Sequence, residues 1–257
     1  MIEIKNLTKI YKLNKKQQKE LKTKDTIKKA VDDLTLTVKQ GEIFGLLGTN
    51  GAGKTTTLRC LATLLRPSSG SIFVDGLDVG RESDKVREKI SFLTNEIKMD
   101  PYFTPDYLFS FFGRLHGMEN SDIQRRKQEL FEYFGISDFK DKKVEELSTG
   151  MKQKVSIAVS LVHDPDIVIF DEPTSGLDII TAKAVLDYLR ALKERGKTVI
   201  VSTHVMSEAQ KLCDRIAIII DGRLYALGTL EELEQQTNTL DLEDAFFEFY
   251  KKHGKEA

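Results

Sequence analysis

Residues 48–56, Gly48-Thr-Asn-Gly51-Ala-Gly53-Lys54-Thr55-Thr56, restrict this chain more than any other segment. They match the pattern GxxxxGK followed by Ser or Thr. They stand between an apolar run, Ile43 to Leu47, and a stretch of helical character from Lys54 to about Leu65. Strand, glycine turn and helix form the setting in which this pattern cradles phosphate. The glycines let the backbone curl so that successive N–H groups point inward, and the helix N-terminus adds partial positive charge. Lys54 brings a full charge suited to β- and γ-phosphates, and the Thr55 hydroxyl is placed to ligate Mg²⁺. The alternative, a glycine turn that binds nothing, has no use for the lysine and the hydroxyl.

The rest of the chain supplies strands to surround such a loop. Ile2 to Leu7 and Val31 to Val38 alternate apolar and polar residues, as strands with one buried face do. Ser71 to Asp75, Ile90 to Thr94, Ile167 to Phe170, Thr198 to Ser202 and Ile216 to Ile220 read as further strands, and Thr181 to Arg195 as a helix. Residues from about Asp100 to His163 read as mostly helical. This alternation predicts a parallel sheet with helices on both faces. The lysine-rich interval from Lys12 to Lys29 reads as a solvated hairpin extension or a disordered loop. The tail after Tyr225 reads as an amphipathic helix with Leu240, Leu242, Ala245, Phe246 and Phe249 on one side.

Two acidic residues close one of these strands. Ile167 to Phe170 leads directly into Asp171 and Glu172, at the strand end where open α/β sheets bind ligands. Asp171 is a hard oxygen ligand for Mg²⁺, and Glu172 beside it can polarise an attacking water. Alone, the pair could merely cap the next helix. His204 follows the strand Thr198 to Ser202, on the same rim, where it can reach a γ-phosphate or that water.

Bulk properties narrow the setting. Of the 257 residues 40% are hydrophobic and 31% charged, and the net charge of -1 provides no global field for nucleic acid or an anionic membrane. No run approaches the roughly 20 apolar residues that cross a bilayer, and the N-terminus lacks a signal-peptide core. A membrane role must come through a partner. Cys60 and Cys213 have neither CxxC spacing nor a histidine cluster, so a reducing cytosol fits best.

Shortly before the acidic strand stands Leu147-Ser-Thr-Gly-Met-Lys-Gln-Lys154, which resembles the LSGGQ signature of ABC ATPases. Other motifs of that family follow in order. Tyr11 matches the aromatic that stacks on adenine, residues 48–56 the Walker A, and Ile167 to Glu172 the Walker B. Ser175-Gly-Leu-Asp178 matches the D-loop and His204 the switch histidine. The resemblance covers nearly the whole chain. It implies an α/β fold of P-loop NTPase (RecA-like) type, with a mostly parallel sheet core, an antiparallel β subdomain and an α-helical subdomain. The antiparallel part is expected at about 1–40 and 70–80, the helical part at about 98–163, the ATPase domain over 1–225 and a helical tail over 226–257.

The resemblance also implies ATP and Mg²⁺, and a homodimer in which Ser148, Thr149, Gly150 and Asp178 of one cassette complete the site of the other. In this picture Tyr11, Gly48, Thr49, Asn50, Gly51, Ala52, Gly53, Lys54, Thr55 and Thr56 bind nucleotide. Glu172, His204 and Lys54 serve catalysis, and Thr55, Asp171 and Asn95 hold the metal. Ser148 has a rationale of its own as the N-cap of a helix through about His163. Thr149 and Met151 depart from the consensus glycine and glutamine, and Asn95 stands where the Q-loop glutamine is usual.

Within the family, LSTGM, Phe92 to Ile97, Phe111 to Gly117 and Leu242 to Phe246 resemble the Nat-type sodium-efflux ATPases and related drug exporters. The implied partner is a membrane permease, at the cytoplasmic face of the membrane, docked through the aromatic stretch Tyr102 to Phe112; nucleic acid is not expected. Part of that stretch must also serve as core. Members acting on ribosomes or DNA differ, with two cassettes per chain or a long coiled coil between the Walker motifs. Here one cassette is present, and no sustained heptads separate Lys54 from Asp171.

Overall fold

The computed structural model describes residues 1–20, 23–94 and 99–253. The chain opens with strand β1 (Ile2–Lys12), helix α1 (Lys15–Glu20) and strand β2 (Ile27–Val38). Strand β3 (Ile43–Leu47) runs into helix α2 (Lys54–Leu61), followed by β4 (Ser69–Val74), β5 (Leu77–Asp78), α3 (Ser83–Lys89) and β6 (Ile90–Thr94). A helical block comprises α4 (Pro105–Leu115), α5 (Asn120–Phe134) and α6 (Thr149–Ser160). Then β7 (Ile167–Asp171), α7 (Ile179–Glu194), β8 (Thr198–Thr203), α8 (Met206–Leu212) and β9 (Arg215–Ile220) alternate. Strand β10 (Arg223–Gly228) and helices α9 (Leu230–Thr237) and α10 (Leu242–His253) complete the fold.

Two sheets result. In the larger, with order β10-β9-β3-β8-β7-β6, every pairing from β9 to β6 is parallel and only the β10 edge is antiparallel. The smaller, β2-β1-β4-β5, is antiparallel throughout. β3 and β7 are buried at every position, as strands covered on both faces must be. Their alternate residues separate two cores. Ile167 and Ile169 join Phe44, Leu46 and Ile219 beneath the antiparallel sheet. Val168, Phe170, Val199 and Val201 face the helices, against Leu189 of α7 and Phe109 and Leu130 of the helical block. The period of two along each strand therefore assigns each residue to its core.

The pairing of β1 with β2 extends to Tyr11 opposite Lys28 and Lys12 opposite Ile27, beyond the alternating stretches visible in the sequence. Backbone ladders need no apolar side chains, so exposed lysines can occupy a paired strand. The lysine-rich interval is thus a hairpin extension, with α1 at its tip burying no residue.

In the helical block, Thr104 caps α4 by accepting from the Tyr107 N–H, and Pro105 stands at the first helical position. The tail differs from its sequence reading in two respects. β10 runs through Tyr225, an added strand that pairs with β9. Leu240 precedes α10 and is 94% exposed, whereas Ala245 is buried and Leu242 and Phe246 join Leu233 of α9 and the β9 residues Ile216, Ile218 and Ile220 in a third core. α9 begins with a reciprocal capping box between Thr229 and Glu232. Among the described residues no helix is long and apolar enough to cross a membrane.

Because Phe246 fills the third core between the tail and the main sheet, the tail should be integral to stability. Phe246→Ala is expected to cost about 3–5 kcal/mol in urea unfolding, with a lowered Tm.

Candidate nucleotide site

The rim formed by the C-terminal ends of β3, β7 and β8 brings the predicted residues together. β3 delivers the glycine loop, whose close approaches explain its composition. A Cβ on Gly48 would lie 2.3 Å from the Ile219 carbonyl oxygen, and one on Gly53, at φ +101°, 2.3 Å from that of Ala30. The loop is therefore wedged between β9 and β2, which fixes its curvature against both sheets.

Lys54, 4% exposed, turns back over this loop. Its Nζ donates to the carbonyls of Gly48, at 2.7 Å, and Thr49, at 3.1 Å, and lies 4.0 Å from Glu172 Oε1. Burial pushes the ammonium below its ordinary pKa, while the Glu172 and Asp171 carboxylates pull the other way.

The parallel register of β7 with β8 sets Asp171 opposite Ser202. The Ser202 hydroxyl donates to Asp171 Oδ1, and the same oxygen accepts from Thr55 Oγ1 at 3.1 Å. Next, Glu172 adopts φ +54°, a left-handed conformation that costs a non-glycine residue about 1 kcal/mol. Its N–H is held by both the carbonyl and the hydroxyl of Ser202, each at 3.1 Å. That tether turns the Glu172 side chain so that Oε1 lies 3.1 Å from His204 Nδ1. Ser202 was not among the residues singled out from the sequence; its only signal is position, two residues before His204 on the strand opposite Asp171.

A cavity of about 200 Å³ opens here, lined by Tyr11, Lys28, Ala30, Asn50, Gly51, Gly53, Lys54, Thr55, Thr56 and Glu172. Tyr11 and Lys28 come from the end of the β1–β2 hairpin. The carbonyls of Gly48 and Thr49 accept from Lys54, and Ala52 is buried behind the loop.

Four predicted residues stand elsewhere. Ser148 caps α6 by accepting from the Met151 N–H, as its sequence context predicts. Asp178 caps α7, accepting from Ile180 and Thr181, and those donors hold its carboxyl below the usual range. A Cβ on Gly150 would sit 3.6 Å from Asp178 Oδ2, so Ser148, Thr149, Gly150 and Asp178 form one neighbourhood. None of them lines the Lys54 cavity. Asn95 lies outside the described residues.

The model of the family described as ABC transporter matches residues 31–175. The chain belongs to the ABC transporter family. It is 42% identical over 224 residues to the ABC transporter ATP-binding protein NatA of Bacillus subtilis, covering 87% of this chain and 91% of that one. It is 43% identical over 206 residues to the daunorubicin/doxorubicin resistance ATP-binding protein DrrA of Streptomyces peucetius, covering 80% and 62% of the two chains. Among solved structures, an ATP-binding subunit of an ABC transporter superposes with a TM-score of 0.84 at 26% identity, covering 97% of this chain and 99% of that one. A dimeric post-hydrolysis cassette bound to ADP and Pi gives 0.78 at 28% identity, with 90% and 99% covered. The fold is therefore that of an ABC cassette, and the chain is an ATP-binding ATP hydrolase of a transporter.

The wedge at Gly48 makes a direct test. Gly48→Ala should displace the loop from β9 and lower ATP affinity by roughly tenfold or more, read by titration with a fluorescent ATP analogue.

Proposed function

We propose that this ABC ATPase powers export through a separate membrane permease, working as a pair of cassettes that close on ATP. The observation that carries the catalytic part is the arrangement of Thr55, Asp171, Ser202, Glu172 and His204 beside the cavity of about 200 Å³ under the glycine loop. The loop N–H groups and Lys54 hold the phosphates, while Tyr11 offers its ring to the base. Thr55 Oγ1 and Asp171 Oδ1 are hard oxygens 3.1 Å apart, the donor type that Mg²⁺ takes, and they would hold it. When bound, that ion neutralises charge on the β- and γ-phosphate oxygens. Glu172 accepts a proton from the attacking water, and His204 positions the Glu172 carboxylate and the γ-phosphate side of the site.

Ser148 and Gly150 support the paired arrangement. Ser148 caps a helix start and Gly150 lies in its first turn, a setting that favours anions, yet both stand away from their own chain's cavity, so a second chain's γ-phosphate is the natural ligand. Closure then depends on the charge that hydrolysis removes.

The permease is read as docking on a largely apolar groove of about 560 Å³ lined by β6, α4, α6 and the residues Ala62 and Leu64 that follow α2. The aromatic stretch beside it divides as expected. Phe109 is fully buried, while Tyr102, Phe103, Tyr107 and Phe111 are exposed. This would hold the chain at the cytoplasmic face of the membrane. Sodium is the cargo we favour, on the resemblance to Nat-type ATPases and the 42% identity with NatA. The equally high identity with DrrA supports drug export as the second reading.

Glu172→Gln should keep ATP binding, lower turnover by about 10²-fold or more, and accumulate an ATP-bound dimer in size-exclusion chromatography. Turnover at the wild-type rate removes Glu172 from the chemistry. Lys54→Ala should instead lose nucleotide affinity. Sodium and daunorubicin efflux from cells expressing wild type or Lys54→Ala with the permease separates the two cargoes.

A further inference from the structure

Glu172 and His204 stand on loops that leave different strands, yet their side chains approach to 3.1 Å. No tightly packed wall keeps them there, since the two side chains are 24% and 44% exposed. Each is placed by the backbone that carries it. The register of β7 with β8 ends at Asp171 opposite Ser202, and the Glu172 N–H bonds back to Ser202. From there the two loops part.

A side-chain link joins them again. The Thr174 hydroxyl lies 2.8 Å from both carboxylate oxygens of Glu208 and shares its proton between them. Glu208 stands in the first turn of α8, and its Oε2 is also 3.5 Å from the Thr203 hydroxyl. Thr203 in turn accepts from the Val205 N–H at 2.9 Å, and the Val205 carbonyl accepts from the Glu208 N–H at 3.2 Å. On the other side, the Glu172 carbonyl accepts from the Ser175 N–H at 3.2 Å, which folds residues 172–175 into a turn that includes Thr174. His204 is thus held between Thr203 and the start of α8, and Glu172 between Ser202 and Thr174. One carboxylate grips both segments.

We infer that Glu208 is a positioning residue for ATP hydrolysis. Through Thr174 and Thr203 it clamps the loop of Glu172 to the loop of His204 and fixes the distance between the two side chains. The inference rests on the reading of Glu172 and His204 as the pair that handles the attacking water. A misplacement of about 1 Å at a reacting group can lower a rate by about 10²-fold, so a link that only narrows loop motion has a measurable effect. Neither Glu208 nor Thr174 lines the nucleotide cavity. Loss of the link should therefore slow the chemical step and leave ATP binding alone.

The test measures steady-state ATP hydrolysis by the full chain, with ATP affinity read separately by titration with a fluorescent analogue. Glu208→Ala and Thr174→Val should each lower kcat by roughly fivefold or more, with KM for ATP and the titrated affinity within about twofold of wild type. Thr174→Val keeps the branched shape of the side chain and removes only the hydroxyl function. Glu208→Gln keeps an acceptor and Thr174→Ser keeps the donor, so these two should recover most of kcat. The double variant Glu208→Ala/Thr174→Val should be no slower than the slower single variant, because both changes break one link.

Glu172→Gln, assayed alongside, separates the two readings. If it hydrolyses ATP at the wild-type rate, the catalytic reading falls and takes the clamp with it. If Glu172→Gln is slow while Glu208→Ala and Thr174→Val stay within about twofold of wild type, the catalytic reading stands and the clamp is overturned. The clamp is equally overturned if KM and affinity worsen together with kcat, if Gln and Ser recover nothing, or if the double variant multiplies the single losses.

Discussion

The Ser202 side chain ties together the two acidic residues on which the site depends. Its hydroxyl donates to Asp171 and accepts from the Glu172 N–H, and its carbonyl accepts from that N–H as well. The contact exists because β7 and β8 pair in parallel with Asp171 opposite Ser202. A slip by one residue would turn Ser202 to the other face of the sheet and release both carboxylates. Glu172 could not then be kept at φ +54°, and its link to His204 would be lost. The local strain at Glu172 is thus offset by a pairing that the whole parallel sheet enforces.

The buried ammonium of Lys54 makes a complementary demand. An uncompensated charge at this depth would be costly, yet two carbonyls of its own loop and the Glu172 carboxylate surround it. Those same neighbours confine Nζ to the cavity floor. The loop carbonyls can serve only while Gly48 stays pressed on β9 and Gly53 on β2. Lys54, the glycines and both sheets therefore form one mechanical unit, which is why the antiparallel sheet is part of the site and not an appendage.

Much of this was legible in the sequence where a residue's neighbours in space are also its neighbours in the chain. The glycine loop, the acidic pair and the Ser148 cap announce themselves by local spacing, and continuous apolar runs revealed β3, β7, β8 and β9. Ser202 did not, because its role arises from register between strands 31 residues apart along the chain at Asp171. β10 was missed because Arg223, Leu224 and Tyr225 follow the tight turn at Asp221 and Gly222 without clear alternation, and pairing with β9 supplies the strand. The far end of the β1–β2 hairpin was hidden by lysines whose backbone pairs regardless of their charge. Lys28, which lines the nucleotide cavity, lies in that hidden part.

Two rigid elements connect the nucleotide side of the molecule to the groove. β6 sets Thr94 opposite Asp171 and Ser91 opposite Val168, so the groove floor and the Walker B carboxylate lie on adjacent paired strands. Three residues of strand separate them, about 10 Å. α6 begins at the Ser148 cap and ends three residues before His163. Its 12 residues span about 18 Å. α6 packs against the helical core at Val155, Ile157 and Ala158, and Ser156, Val159 and Ser160 toward its other end line the groove, so the Ser148 cap and part of the groove wall belong to one helix. A close-packed interior transmits displacement instead of absorbing it. A displacement of the Ser148 end would therefore carry the groove-lining end of α6 with it.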